Sequence, residues 1–233
     1  GPSAATITID GTGDEFGVDI ANSGSAVTSV DGDIIITGTG TEIGVGIRFG
    51  SVITSTGTGP SAATITIDGT GTGDEFGVYI TNSGSAVNSV DGDIIITGVA
   101  QGTGNATAIW LDNGADITST GTGVDAASIT LNGTSQEYAT YIEDSGTTIS
   151  SVAGDINISG TGTDEEGVTL ILDARISSES GAITIVGNST NGVGVYTTNA
   201  GSLISSTGTG GSAGNISITG DSTNGTGVHL DAP

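Results

Sequence analysis

Residues 61 to 91 hold three short apolar alternations, Thr64-Ile65-Thr66-Ile67, Phe76-Gly77-Val78-Tyr79-Ile80 and Ala86-Val87-Asn88-Ser89, parted by Gly, Ser, Thr and Asp. Apolar residues at every second position mark a half-buried strand, and the preference for Ile, Val and Thr suits the same element. No 3.6-residue or heptad pattern persists, so the chain predicts essentially no helix. Nearly the same text stands at residues 3 to 31, and looser copies fill the remainder.

The copies align on a recurring glycine: Gly11, Gly38, Gly69, Gly98, Gly133, Gly160, Gly187 and Gly220, at spacings of 27, 31, 29, 35, 27, 27 and 33. A variable period with constant strand text is the mark of a solenoid, in which an insertion bulges outward without disturbing the stack. A longer period overlies it, because residues 1 to 37 recur at 59 to 97 with one two-residue insertion and three substitutions. The coils fall at about 3–31, 32–60, 61–91, 92–124, 125–153, 154–180, 181–211 and 212–233.

Each coil reads as strand, corner, strand, corner, strand. First strands are predicted at Thr6 to Ile9, Asp33 to Ile36, Thr64 to Ile67, Asp93 to Ile96, Ser128 to Leu131, Asp155 to Ile158, Ala182 to Ile185 and Asn215 to Ile218, each closed by the recurring glycine. Second strands are predicted to begin at Val18, Val45, Val78, Ile109, Thr140, Val168, Val195 and Val228. Third strands centre on Val27, Ile53, Val87, Ile117, Ile149, Ile176 and Ile204. The reading is all-β: a right-handed parallel β-helix of about eight coils of three short strands, forming a single segment of a longer repeat protein. A β-sandwich of hairpins would not make the copies agree column by column.

By parity Ile65, Ile67, Phe76, Val78, Ile80 and Val87 point inward and Tyr79 outward. Two polar columns are also expected inside. One is Ser29, Ser55, Ser89, Ser119, Ser151, Ser178 and Ser206, whose hydroxyls find backbone or neighbouring partners. The other is Asn22, Phe49, Asn82, Asn113, Asp144, Leu172 and Asn199, where Asn suits left-handed backbone angles and stacks amide on amide, with Phe49 and Leu172 as interruptions.

Composition sharpens this picture. Apolar residues are 34% and aromatic ones 3%, thin for a compact globule but adequate for a narrow solenoid core. The net charge is −24, and Arg48 and Arg175 are the only Lys or Arg residues. Such a surface repels phosphate backbones and anionic headgroups, so neither nucleic acid nor membrane insertion is expected. With no Cys there is no disulfide framework, and no run reaches the length of a membrane span.

Stretches such as GDIIITGTGTEIGVGI and GDINISGTGTDEEGV resemble the repeats of filamentous-haemagglutinin-type adhesins and other large bacterial surface β-helix proteins. The resemblance covers nearly the whole chain. It implies a β-helical stalk, passenger or fibre, secreted or held at the bacterial cell surface, with other copies or neighbouring repeats as partners.

Candidate chemistry gathers on the outward column of the second strands: Asp19, Gly46, Tyr79, Trp110, Tyr141, Thr169, Tyr196 and His229. Tyr79, Trp110 and Tyr141 fall on consecutive coils, which places their rings about 4.8 Å apart along the axis. Asp112 and Glu143 share that face. Rings beside carboxylates suit weak contact with cell-surface glycans; the simpler account is an aromatic ladder that stabilises the sheet by about 0.5–1 kcal/mol per pair. Acidic pairs before the second strand, Asp14 and Glu15, Asp74 and Glu75, and Asp164 and Glu165, are candidates for calcium, although the G-G-x-G-x-D repeat of calcium-binding solenoids is absent. No cofactor is otherwise implied. With no Lys and one His, a polysaccharide lyase lacks its base, no loop is long enough to wall a cleft, and the chain reads as a non-enzyme. Ice binding is disfavoured because Thr6/Thr8 and Thr64/Thr66 alternate with Asp33/Ile35 and Asp93/Ile95. The expectation is a structural and adhesive segment, with a carbohydrate-binding second sheet or a self-assembling filament subunit as alternatives.

Overall fold

The computed structural model describes residues 4–198, 201–208 and 213–231. Within them the strands form three all-parallel sheets of eight, eight and seven members. Successive strands of any one sheet are three apart in chain order, so the chain visits the sheets in turn and never reverses. This is a parallel β-solenoid: seven three-stranded turns and two strands of an eighth.

The third coil shows the unit, with strands Ile65–Gly71, Phe76–Thr81 and Ala86–Ser89. Register is fixed by the aliphatic columns. Ile7, Ile34, Ile65, Ile94, Ile129, Ile156, Ile183 and Ile216 form one unbroken line of paired residues. A one-residue slip would turn every Ile of that line toward water. Ile34, Ile65, Ile94 and Ile129 are fully buried, each contributing about 1.5–3 kcal/mol. The third-strand column from Val27 to Ile204 pairs throughout as the sequence predicts. Thr140, buried within an otherwise aliphatic column, is accommodated because its hydroxyl donates to the Ser159 carbonyl at 3.1 Å.

The structure departs from the sequence reading in four places. First strands do not end at the recurring glycine but run through it, as in Ile34–Gly40 and Ile65–Gly71. The glycine is there because the second strand of the same coil crosses against it: a Cβ on Gly98 would lie 2.6 Å from both the Ala108 carbonyl carbon and Ile109 Cγ1, and closer still to the Ala108 oxygen.

Second strands of the first five coils begin two residues earlier than predicted, at Phe16, Ile43, Phe76, Thr107 and Tyr138. Two consecutive residues are buried there, Gly77 with Val78, Ala108 with Ile109, Ala139 with Thr140. The pairing also skips Gly77, Ala108 and Ala139, so the strands bend locally there and the alternation breaks. Phe76, expected inward, therefore lies on the outer face, half-buried against Tyr79 and Trp110.

The Asn column is not inward but sits at the outer corner, with Asn22, Phe49, Asn113 and Leu172 exposed. All six described members have positive φ, from 53° at Asn113 to 80° at Asn22. Phe49 and Leu172 thus keep the left-handed turn while lacking the residue that favours it. Among the described residues of this column no amide bonds another: Asn82 Oδ1 accepts the backbone N–H of Phe49 at 3.3 Å. Asn199 lies outside the described residues.

The Ser column is satisfied only in part. Ser29, Ser89 and Ser151 donate to the carbonyls of Gly32, Gly92 and Gly154. The Oγ atoms of Ser55, Ser119, Ser178 and Ser206 are buried without a partner. At Ser55 and Ser119 the corner reads Ser-Thr-Gly-Thr, which offers no glycine carbonyl three residues on.

Several acids serve the stack. Asp33, Asp93 and Asp155 accept backbone N–H groups of the following coil from Thr64, Ser128 and Ala182 at 3.0, 2.9 and 2.7 Å. These are charge-assisted bonds between coils, so part of the negative charge has a structural task.

Candidate functional site

The outward column pairs residue for residue: Asp19, Gly46, Tyr79, Trp110, Tyr141, Thr169, Tyr196, His229. Stacking alone brings Tyr79, Trp110 and Tyr141 together, although they lie 31 residues apart at each step. Their rings are not parallel. Tyr79 and Trp110 have centroids 5.7 Å apart and tilted by 48°, and Trp110 meets Tyr141 edge-on at 5.9 Å and 74°. The bend adds two rings that parity placed elsewhere or overlooked. Phe76 lies 4.7 Å from both Tyr79 and Trp110, and Tyr138 lies 5.1 Å from Tyr141. Tilted contacts of this kind contribute about 0.5–1.5 kcal/mol each beyond buried area.

This cluster walls a groove of about 440 Å³ lined by Phe76, Trp110, Tyr138 and Tyr141 with Asp74, Glu75, Asn105, Thr107 and Glu143. Of the five residues expected to contact a ligand, Trp110, Tyr141 and Glu143 line it; Tyr79 supports it from beside Phe76 and Trp110. Glu143 accepts the indole N–H of Trp110 at 3.0 Å, which fixes both side chains. Burial pushes the Glu143 carboxyl up from its ordinary value, Asp144 adds to the rise, and the indole bond opposes it.

Asp112 is set deeper. It is only 5% exposed, and its Oδ2 accepts Asn113 Nδ2 at 2.8 Å and the Tyr79 hydroxyl at 3.4 Å. Burial raises its pKa, the Thr81 hydroxyl lowers it, and the charge of Asp144 raises it again. Burial likewise raises Tyr79, Tyr138 and, most of all, Tyr141, so these phenols stay neutral donors.

The acids singled out for calcium are dispersed. Asp14 and Glu15 are exposed. Asp74 Oδ1 accepts backbone N–H groups of Thr103 and Gly104 at 3.1 and 3.2 Å, and Asp164 Oδ1 accepts Asn191 Nδ2 at 2.7 Å. Glu75 faces the groove, and its carboxyl is raised by burial and then by Glu42 and Glu15. Among the described residues, the acids with ligand atoms mutually within 4.8 Å are instead Asp112, Glu143 and Asp144.

Sequence reasoning missed Phe76 and Tyr138 as outward residues and Asp144 as a partner of Asp112. The signal for the first two was present: a small residue followed directly by a β-branched one, Gly77-Val78 after Phe76 and Ala139-Thr140 after Tyr138, marks two adjacent inward positions. Fold and face together define a β-solenoid repeat protein that carries an aromatic and acidic groove among its described residues. Neither a protein-family model, a curated protein nor a solved structure matches the chain.

Proposed function

We propose that this chain is a structural and adhesive segment of a secreted or cell-surface bacterial protein, a rigid stalk, passenger or fibre whose second sheet contacts neutral carbohydrate. The observation that carries the structural part is continuity. Aliphatic columns run from coil to coil as one core cluster, from Val18 to Val195, with no break between sub-domains. Bending such a rod would stretch the backbone ladders on its convex side and compress a close-packed core on the other. The resemblance to filamentous-haemagglutinin-type repeats supports a surface location.

The groove favours the carbohydrate reading. Ring faces carry negative charge that attracts the polarised C–H groups of a sugar, and Glu75, Glu143 and Asn105 can hydrogen-bond its hydroxyls. Its volume lies within the usual range for small-molecule sites. A net charge of −24 with three acids in the lining disfavours uronates, sialic acids and sulfated chains, so the class is neutral sugars.

An array of neutral and acidic glycans tests the carbohydrate part. Retention of neutral glycans by the wild type and its loss in Trp110→Ala are expected; equal retention by both refutes the contact. Negative-stain microscopy over a wide concentration range tests the rod. Monodisperse short rods are expected, whereas growth into filaments would make the chain a polymerising subunit.

A further inference from the structure

The corner that follows the second strand in the middle coils has a feature that neither rod nor groove requires. Thr81 pairs with Asp112, and Leu111 pairs with Ile142, so Thr81, Asp112 and Glu143 step along the axis on three consecutive coils. Asp144 follows Glu143 and holds φ of 75°, its carbonyl closing the turn to Thr147 N at 3.1 Å. One oxygen from each of Asp112, Glu143 and Asp144 lies within 4.8 Å of the others.

Crowded carboxylates alone are ordinary on so acidic a chain. What distinguishes this corner is that buried oxygen there lacks a donor. Asp112 Oδ1 and Thr81 Oγ1 are both buried with no hydrogen-bond partner, on residues 5% and 3% exposed. The Thr81 hydroxyl favours ionised Asp112, yet neither its Oγ1 nor Asp112 Oδ1 makes a hydrogen bond. A buried carboxylate oxygen without a partner costs several kcal/mol unless something positive answers it. No side chain does: among the described residues the single ion pair is Asp19–Arg48, whose guanidinium is held in a fork by both Asp19 oxygens at 2.8 Å.

Two of the carboxylates also keep one oxygen without a hydrogen bond. Asp112 engages Asn113 and Tyr79 through Oδ2 and leaves Oδ1 free; Glu143 engages Trp110 through Oε1 and leaves Oε2 free. Outer donors that fix one oxygen and present the other are the usual surroundings of a metal-binding carboxylate.

From this geometry we propose that Asp112, Glu143 and Asp144, with the Thr81 hydroxyl at the inner edge, form a calcium site that ties the third, fourth and fifth coils together. The ligand set is all oxygen, which selects a hard cation over zinc or copper. Calcium binds oxygen at about 2.3–2.6 Å, so oxygens on opposite sides of one ion stand about 4.6–5.2 Å apart, which accommodates the observed spacing; magnesium at about 2.0–2.1 Å demands a tighter and more regular set. Water and backbone carbonyls complete the sphere. Because Glu143 holds the Trp110 indole, the ion also immobilises one wall of the groove.

Trp110 is the only tryptophan, so its fluorescence reports the site directly. The test titrates calcium into chelator-stripped 233-residue chain at neutral pH and constant ionic strength, reading fluorescence, binding heat and melting temperature. One saturable site is expected, with a raised melting temperature. Asp144→Asn is the decisive variant, since Asn occupies this column natively at Asn22, Asn82 and Asn113 and suits the same backbone angle. It should fold normally and bind calcium at least tenfold more weakly, as should Asp112→Asn, while Asp14→Asn binds like the wild type. No saturable heat, an equal response to magnesium, or unchanged affinity in Asp144→Asn would each overturn the site and leave only general screening of the negative surface.

Discussion

Gly98→Ala adds a single methyl group to the middle of a first strand, and the structure requires it to be among the most damaging substitutions in the chain. The added carbon would stand 2.6 Å from the Ala108 carbonyl carbon and from Ile109 Cγ1. Carbon atoms pack best at about 3.5–4.0 Å, so the deficit is about 1 Å on two contacts at once. Neither neighbour can move freely. Ala108 belongs to the second-strand backbone, and the equivalent glycines one coil away, Gly69 and Gly133, face Gly77 and Ala139 just as closely. Relief therefore means separating two sheets across at least three coils. Overpacking ordinarily costs about 1–3 kcal/mol, and a clash against backbone belongs at or above the upper end. Against it stands about 0.4–1 kcal/mol gained by restricting the unfolded chain. The net expectation is a loss of at least about 2 kcal/mol, comparable to emptying the core with Ile96→Ala at about 2–5 kcal/mol. Solenoids unfold in segments, so amide hydrogen exchange is the suitable assay, with residues 94 to 112 followed separately from the first coils. Exchange should accelerate at least about thirtyfold there, as that free-energy loss implies. Protection equal to wild type would refute the account of the glycine column, and Val99→Ala, one residue on and half-buried, serves as the control with little effect.

Other consequences follow from the same geometry. Leu172 is 43% exposed with φ of 54°, so Leu172→Asn should stabilise the chain by up to about 1 kcal/mol, read as a raised melting temperature; a decrease would refute the strain argument. Glu75 faces the charges of Glu42 and Glu15 on the preceding coils and Glu143 across the groove, and its raised carboxyl binds a proton more tightly when folded than when unfolded. Stability from this group is fully present below the unfolded pKa and is lost as pH rises through the folded one. Melting temperature should therefore rise on acidification from about pH 7 toward about pH 5, and Glu75→Gln should flatten part of that slope; a wild-type melting temperature that falls over this interval contradicts the sign.

Much of the fold was legible because the chain states it eight times. Alternation within one strand is a local property, and agreement between copies converts it into register. The Ile column from Ile7 to Ile216 and the outward column from Asp19 to His229 pair as the alignment implies. A repeat that buries one face against its own copies leaves little freedom in how the copies stack.

What the tertiary structure alone decided concerns places where backbones meet. Parity assigned Phe76 to the core, but Gly77 packs so close to the first sheet that a Cβ there would lie 2.6 Å from Val99 N, and Gly77 and Val78 are both buried in succession. The bend turns Phe76 and Tyr138 outward and makes a groove from what would have been a flat ladder. The acids show the same limit. Abundance in the sequence drew attention to Asp14, Asp74 and Asp164, which are exposed to water or cap loops. Asp112, Glu143 and Asp144 become a group only when two coils are stacked and one carboxylate is buried. The sequence thus determined the columns, because side-chain alternation needs no distant partner. Depth and proximity within a column depend on how closely neighbouring backbones approach, and only the folded stack sets that.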